Sequence, residues 1–421
     1  MNDMKKVHIF TSAAFNYIPK ARVLFRSLRE HHPECVLHLA LADEGHSDID
    51  LSQEPFDSVL PISELDIPDQ RGWAFSHSIV ELATAIKPYA FLKIMSMPDC
   101  GKVLYLDPDT VVFSRLDDII EALDENNLVL TPHQTQPEST ISAVIDNEIC
   151  SLKHGVFNIG FLGVAVTDEG FRFANWWAQR LYHFCRADIC NGLFTDQKWI
   201  DLVPAFFEDI AVMRSGRLNL ATWNLTTRNL SGDIESGFEV DGEPLGFYHF
   251  TGFDSGDHRL MAAKNADGNP SVQALIGWYE NEIRDLGKDP LAQIPWAFNT
   301  FSNGEKISRG QRLVYRERVD LQAAFPDPFA AEGYLAWWNK QGRAEYPALF
   351  DKATEAAALA ELSSRLTPGY RAGKQEVNWS TTLSLFRTAI QDPATRKGLI
   401  RRGWKVLRRE GVAGIRQRLG S

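Results

Sequence analysis

The chain has 421 residues, 44% of them hydrophobic and 24% charged, which is the make-up of a soluble globular protein with room for one large domain and a smaller one. A net charge of −11 excludes a nucleic-acid-binding surface spread over the whole protein. The five cysteines, Cys35, Cys100, Cys150, Cys185 and Cys190, lack CxxC spacing, so neither a disulfide framework nor a zinc site is expected, and a reducing cytosol fits them.

In chain order, Val7 to Thr11 reads as a short apolar strand, followed by a loop to Tyr17. Ala21 to Arg29 is predicted helical, with Ala21, Leu24, Phe25 and Leu28 on one face. Strands are expected at His38–Ala42 and Ser58–Pro61. Ser78 to Met97 has helical spacing that Pro88 should kink or split. Lys102 to Phe113, KVLYLDPDTVVF, then carries an apolar strand into Asp107 and Asp109. Further strands are expected at Leu128–Thr131, Phe157–Val164 and Leu245–Phe250, and a helix at Asp168–Phe184. Strands alternating with helices predict an α/β fold with a mostly parallel central sheet and right-handed crossovers. Ligands of such sheets sit at the carboxyl ends of the strands, where Thr11, Asp43, Asp107 and Asp109 fall.

Residues i and i+2 of a strand point the same way, so Asp107 and Asp109 can converge on one hard cation, Mn²⁺ or Mg²⁺. The plain structural alternative is a pair of turn aspartates. A rival chemistry is that of haloacid-dehalogenase-type phosphatases, which open with DxDx(T/V) on the first strand of the domain. Here a strand–helix–strand–helix segment precedes the motif, and no convincing second aspartate pair follows it.

Six ordered blocks carry a resemblance: FTSAAFNYIPKARVLFRSL, KVLYLDPDTVVF, GVFNIGFLGV, FTDQKWIDLVPAFF, LATWNLTTR and YHFTGFD. Together, from Val7 to about Asp254, the chain resembles bacterial nucleotide-sugar glycosyltransferases of the GT-A fold, in the family-8-like group that includes glycogenin and lipopolysaccharide glycosyltransferases. The resemblance implies metal ligation by Asp107, Asp109 and His249. It implies nucleotide contacts from Phe10, Thr11, Tyr17, Asp107 and Gly252. Asn158, Asp196 and Gln197 would hold the donor sugar, the last two as catalytic candidates.

Each of these residues also has a plain structural reading. His249 can be a satisfied core histidine, Asn158 an amide bonded to a loop, and Asp196 the cap of the helix that starts at Gln197. His133 is open to either a sugar or a structural role. Two departures from the family bear on phosphate binding. No lysine follows the HFTG run, and Phe91 stands where a basic residue is often found. Phosphate neutralisation is therefore expected from Lys87, Lys93 or His258.

Residues 1–265 are expected to form the catalytic domain and 266–392 a mainly helical region, with a loop or linker over Ser363–Ser380. Trp278, Trp296, Trp337 and Trp338 suit core packing better than sugar stacking. Residues 393–421 form a basic tail. Nine Lys/Arg and one acid lie between Arg396 and Arg418, a pattern that suits an amphipathic helix on an anionic membrane or a solvated or domain-packed helix, though Gly403, Gly411 and Gly414 weaken helix. The N-terminus, MNDMKKVHIFTSA, shows no apolar segment of signal-peptide length, so the expected place is the cytoplasm, peripheral at the membrane's inner face.

The expected function is metal-dependent transfer of a sugar from a nucleotide-diphosphate donor, a UDP-sugar, to a carbohydrate or lipid-linked acceptor with retention. The alternative is a catalytically silent nucleotide- or sugar-binding protein of the same fold.

Overall fold

The computed structural model describes residues 5–45, 49–266 and 268–365. Its centre is a seven-stranded sheet. Six of the strands are β1 (Lys6–Ala13), β2 (Val36–Leu41), β3 (Ser58–Pro61), β4 (Cys100–Leu106), β6 (Leu128–Pro132) and β7 (Phe157–Ala165); a short strand, β5 (Thr110–Val112), lies outside it. The order is Ile210–Val212, β6, β7, β4, β1, β2, β3, so β4 is the middle strand. All pairings are parallel except those of β7, which runs antiparallel to both β4 and β6. The sheet is thus mostly parallel, as its strand–helix alternation predicts, with one reversed strand.

The period-2 alternation of a strand distributes β4 between two cores. Val103 and Tyr105 join one hydrophobic cluster with Phe10, Phe91 and Trp177, and Leu104 and Leu106 join the other with Ile9, Leu24 and Phe25. The helix expected at Ala21–Arg29 spans Ile18–His31 (α1), extended by a turn at its start because Pro19 is tolerated there. The helix expected at Ser78–Met97 is two. After α2 (Gln70–Phe75), α3 (Ile79–Ala85) starts from a Ser78–Glu81 capping box, and α4 (Lys87–Met95) starts afresh with Pro88 in its first turn. Pro88 has no N–H to continue α3, and its ring excludes the carbonyl four residues back.

The last catalytic-region strand is shorter than expected and lies elsewhere. Phe247–His249 leaves the main sheet and pairs antiparallel with β5, His249 opposite Thr110. That pairing brings His249 beside the end of β4.

The helical pieces after residue 266 share the cores of the preceding part. Val272, Leu275 and Tyr279 pack with Tyr248 and Phe250. Phe298, Tyr315, Tyr334 and Trp338 pack in the cluster that holds Phe10 and Tyr105. Trp338 is buried, and Trp278, Trp296 and Trp337 pack partly buried against these clusters. The Trp296 indole donates to the Ala42 carbonyl at 2.9 Å. Arg312, buried, donates to the carbonyls of Phe75, His77 and Phe298 at 2.6–2.9 Å and so ties α2 to the C-terminal pieces. The cysteines are all free. Among the described residues, no helix is long and apolar enough to cross a membrane. The expected basic tail at 393–421, and most of the expected 363–380 linker, lie outside the described residues.

Candidate active site

β4 ends at Leu106, and the turn Asp107-Pro108-Asp109 is fixed by backbone bonds on three sides. The Asp107 N–H donates to the Gly160 carbonyl at 2.9 Å. The Asp107 and Asp109 carbonyls accept from the N–H groups of Thr110 (3.0 Å) and Phe250 (2.8 Å). Both carboxylates therefore face the strand that carries His249. Ligand atoms of Asp107, Asp109 and His249 all lie within 4.8 Å of one another. His249 Nε2 is 3.1 Å from Asp109 Oδ1 and 3.6 Å from Asp107 Oδ2.

The tautomer of His249 follows from its neighbours. Its Nδ1 lies 3.1 Å from Asn158 Oδ1, and that oxygen also accepts the Gly160 N–H at 3.1 Å. The Asn158 amide nitrogen is directed to Gln197 Oε1 (3.3 Å) and His133 Nε2 (3.1 Å). An acceptor oxygen facing Nδ1 requires the proton there, which leaves Nε2 aimed at the two carboxylates. Burial of the ring works against its charged form, but Asp109 and Asp107 outweigh it and hold the His249 pKa above the ordinary 6.5. Burial likewise opposes ionisation of Asp109, yet His249, aided by Lys20, holds that carboxyl below its usual value. Two carboxylates and one imidazole nitrogen converging in this way form a hard O,O,N donor set that fits Mg²⁺ or Mn²⁺.

A pH dependence follows with a definite sign. Metal requires the neutral ring, so Mn²⁺ affinity should fall by about tenfold per pH unit once the pH drops below the raised His249 pKa. Calorimetric Mn²⁺ titrations between pH 6 and 8 check this, and a flat profile would contradict ligation by His249. In the metal-free protein, the ion pairs of His249⁺ add stability below pH 6.5 that is lost as pH rises through the raised value.

Lys87 lies deeper. Its Nζ is 3.2 Å from Asp107 Oδ1 and 2.8 Å from Asp196 Oδ2, and it sits 4.2 Å above the Tyr105 ring. Burial disfavours the ammonium, but the two aspartates hold its pKa well above 10.5. Asp107 thus divides its oxygens: Oδ1 takes Lys87 and the Tyr105 hydroxyl, and Oδ2 turns to His249. Asp196 is buried, and burial raises its pKa against the pull of Lys87. Gln197 is committed to the fold: Oε1 accepts from Ile159 N at 3.0 Å, and Nε2 donates to the His154 carbonyl at 3.1 Å. His133 is a neutral link in the same network, its pKa pushed down to about 4 by burial.

Asp107, Asp109, His249, Asn158, Asp196 and Lys87 therefore converge as expected, and Tyr17 reaches this side of the molecule through Asp254. Gly252 has φ 70°, a left-handed conformation that favours glycine. Thr11 is buried at the end of β1.

Other expectations need correction. The Phe10 ring is fully buried against Phe91 and Tyr105, so it has no face to offer a base. His258 cannot neutralise phosphate. It is buried, its nitrogens meet Tyr248 Oη and the Thr251 carbonyl, and burial lowers its pKa to about 4. Lys93 lines a different cavity, with Tyr89, Ser96 and Asn175.

Three residues of the site went unassigned from sequence. Lys20 is buried in the first turn of α1 and bonded to Asp254. The Trp223 ring stands edge-on to His249 at 5.6 Å. At Gly160 an added Cβ would lie 2.4 Å from the His249 ring and 2.6 Å from Asn158 Oδ1. Gly160 and Trp223 lie in the blocks FNIGF and LATWN, where a glycine in a strand and a tryptophan beside an asparagine were the available signals. Gly160→Ala should displace His249 and weaken Mn²⁺ binding by about 10- to 100-fold with only modest loss of thermal stability; unchanged binding would show that the ring is not held there.

Residues 8–169, from β1 through β7, match the family model described as Glycosyl transferase family 8. Over that stretch the chain is similar to family 8 glycosyltransferases. The match includes Asp107, Asp109 and Asn158 and the strands of the mostly parallel sheet that carry them. The chain is 26% identical over 337 residues to the uncharacterized protein YfnD of Bacillus subtilis (strain 168), covering 79% of this chain and 96% of that protein. It is 23% identical over 252 residues to the uncharacterized protein YfnF of the same organism, covering 58% and 82%. Among solved structures, the galactosyltransferase LgtC in complex with donor and acceptor sugar analogues aligns over 69% of this chain and 97% of its own, with 16% identity and a TM-score of 0.39.

Proposed function

We propose that the protein is a hexosyltransferase that moves a sugar from a nucleoside-diphosphate donor, a UDP-sugar, to a carbohydrate, lipid-linked or glycoconjugate acceptor, with retention and in dependence on Mn²⁺ or Mg²⁺. The observation that carries this reading is the Asp107–Asp109–His249 cluster at the end of the middle strand of a family 8 domain.

Asp107 Oδ2, Asp109 and His249 Nε2 would hold the ion. When bound, a divalent ion supplies Lewis-acid stabilisation of charge on the departing diphosphate. Lys87 occupies Asp107 Oδ1 and so fixes which of its oxygens faces His249. Asp196 places a second buried carboxylate on Lys87, suited to an oxocarbenium-like sugar centre. Gln197 acts by positioning: it locks Asn158 and Ile159, and through Asn158 the tautomer of His249.

The test is release of nucleoside diphosphate from a panel of nucleotide sugars with Mn²⁺, with Mg²⁺ and with chelator. One donor should turn over slowly without acceptor, stop with chelator and resume on adding Mn²⁺. No turnover of any donor, together with nucleotide binding that Asp109→Ala leaves unchanged, would overturn the reading and leave a silent binding protein.

A further inference from the structure

A donor diphosphate entering beside three carboxylates needs a cation that can be released to it. Lys87 does not qualify, because both of its partners, Asp107 and Asp196, are held within the site. Lys20 is built differently. Its side chain is 6% exposed, and its Nζ donates to Asp254 Oδ1 and Oδ2 at 2.9 and 2.8 Å and to the Tyr17 hydroxyl at 2.9 Å. The Asp254 side chain is 66% exposed.

That asymmetry sets the direction of exchange. A buried ammonium cannot be left without an anion, whereas an exposed carboxylate loses little by returning to water. Lys20 also sits in the first turn of α1, where a cation opposes the helix dipole, so helix stability gives no reason for its presence. Asp254 lies on the segment that leaves metal-ligand candidate His249, between Gly252 (φ 70°) and Gly256 (φ 82°).

We propose that Lys20 binds a phosphate oxygen of the nucleoside-diphosphate donor, and that Asp254 is a resident counter-ion which the donor displaces. The proposal rests on the donor-site reading above. Tyr17, bonded to both groups, passes its hydrogen bond from Asp254 to the incoming oxyanion.

The experiment is calorimetric titration of the full chain, in Mn²⁺, with UDP, GDP, CDP and ADP, carried forward with whichever binds most tightly. Lys20→Met should weaken binding by about tenfold or more, and Lys20→Arg should recover most of it. Asp254→Asn, which keeps the side-chain shape at an exposed position and whose folding is checked by its melting temperature, should tighten binding by about three- to tenfold because the competing carboxylate is gone. The double variant should behave like Lys20→Met, since Asp254 competes only through Lys20. Affinity unchanged in both single variants, or weakened by Asp254→Asn, overturns the proposal while wild-type binding leaves the donor site intact. A wild type that binds no nucleoside diphosphate overturns both.

Discussion

Asp109→Asn should lower Mn²⁺-dependent donor turnover by about three orders of magnitude while leaving the melting temperature within a few degrees of wild type. The amide has the shape of the carboxylate, and the backbone bond from Phe250 N to the Asp109 carbonyl is untouched, so the turn survives. What disappears is the charge facing His249 Nε2 at 3.1 Å. The His249 pKa should then fall, because Asp109 is the main influence raising it. Steady-state donor hydrolysis with saturating Mn²⁺ makes the measurement, and residual activity within tenfold of wild type would remove Asp109 from the metal site.

Lys87→Met should destabilise the protein by about 3–5 kcal/mol at neutral pH, because it leaves Asp107 and Asp196 facing each other without the ammonium between them. The pH dependence has a definite sign. Burial holds the Asp196 pKa above 3.8, and Lys87 is the group that pulls it down. Without Lys87 the pKa rises further. A carboxyl with a raised folded-state pKa contributes stability that is present below its unfolded pKa and lost as pH rises through the folded one. The deficit of the variant relative to wild type should therefore shrink on going from pH 7.5 to pH 5, as Asp196 takes up a proton. Urea unfolding at the two pH values tests it, and a deficit independent of pH would mean that Asp196 is not the strained group. Turnover should fall as well, since Asp107 loses the partner that sets which oxygen faces His249.

The sequence made some parts of this site legible and hid others for identifiable reasons. The Asp107–Asp109 pair announces itself locally: an apolar run ends abruptly in two charges, and β4 does end at Leu106. The break at Pro88 and the limits of the helix at Asp168–Phe184 also follow from local chemistry. Phe10 and His258 were misplaced because the motifs that contain them fix chain position and not side-chain direction. β1 turns Phe10 into the core, and the helix from Asp257 turns His258 under Tyr248. Lys20 went unassigned because a lysine one turn into an amphipathic helix normally reaches water. Nothing local says that Asp254 closes over it.

By itself, then, the sequence determined most of the strands and helices of the central sheet and the place where two carboxylates leave the middle strand. These depend on hydrophobic periodicity, turn residues and motif spacing, all encoded within short windows. The tertiary structure alone decided how those charges are balanced. The pairing of β5 with Phe247–His249 sets His249 against Asp109, and Asn158 on the reversed strand β7 fixes its tautomer. α4 delivers Lys87 to Asp107 and Asp196, and α1 delivers Lys20 to Asp254. Such pairs are set by strand register and helix packing between segments far apart in the chain, and their strength depends on burial that no short stretch of sequence specifies.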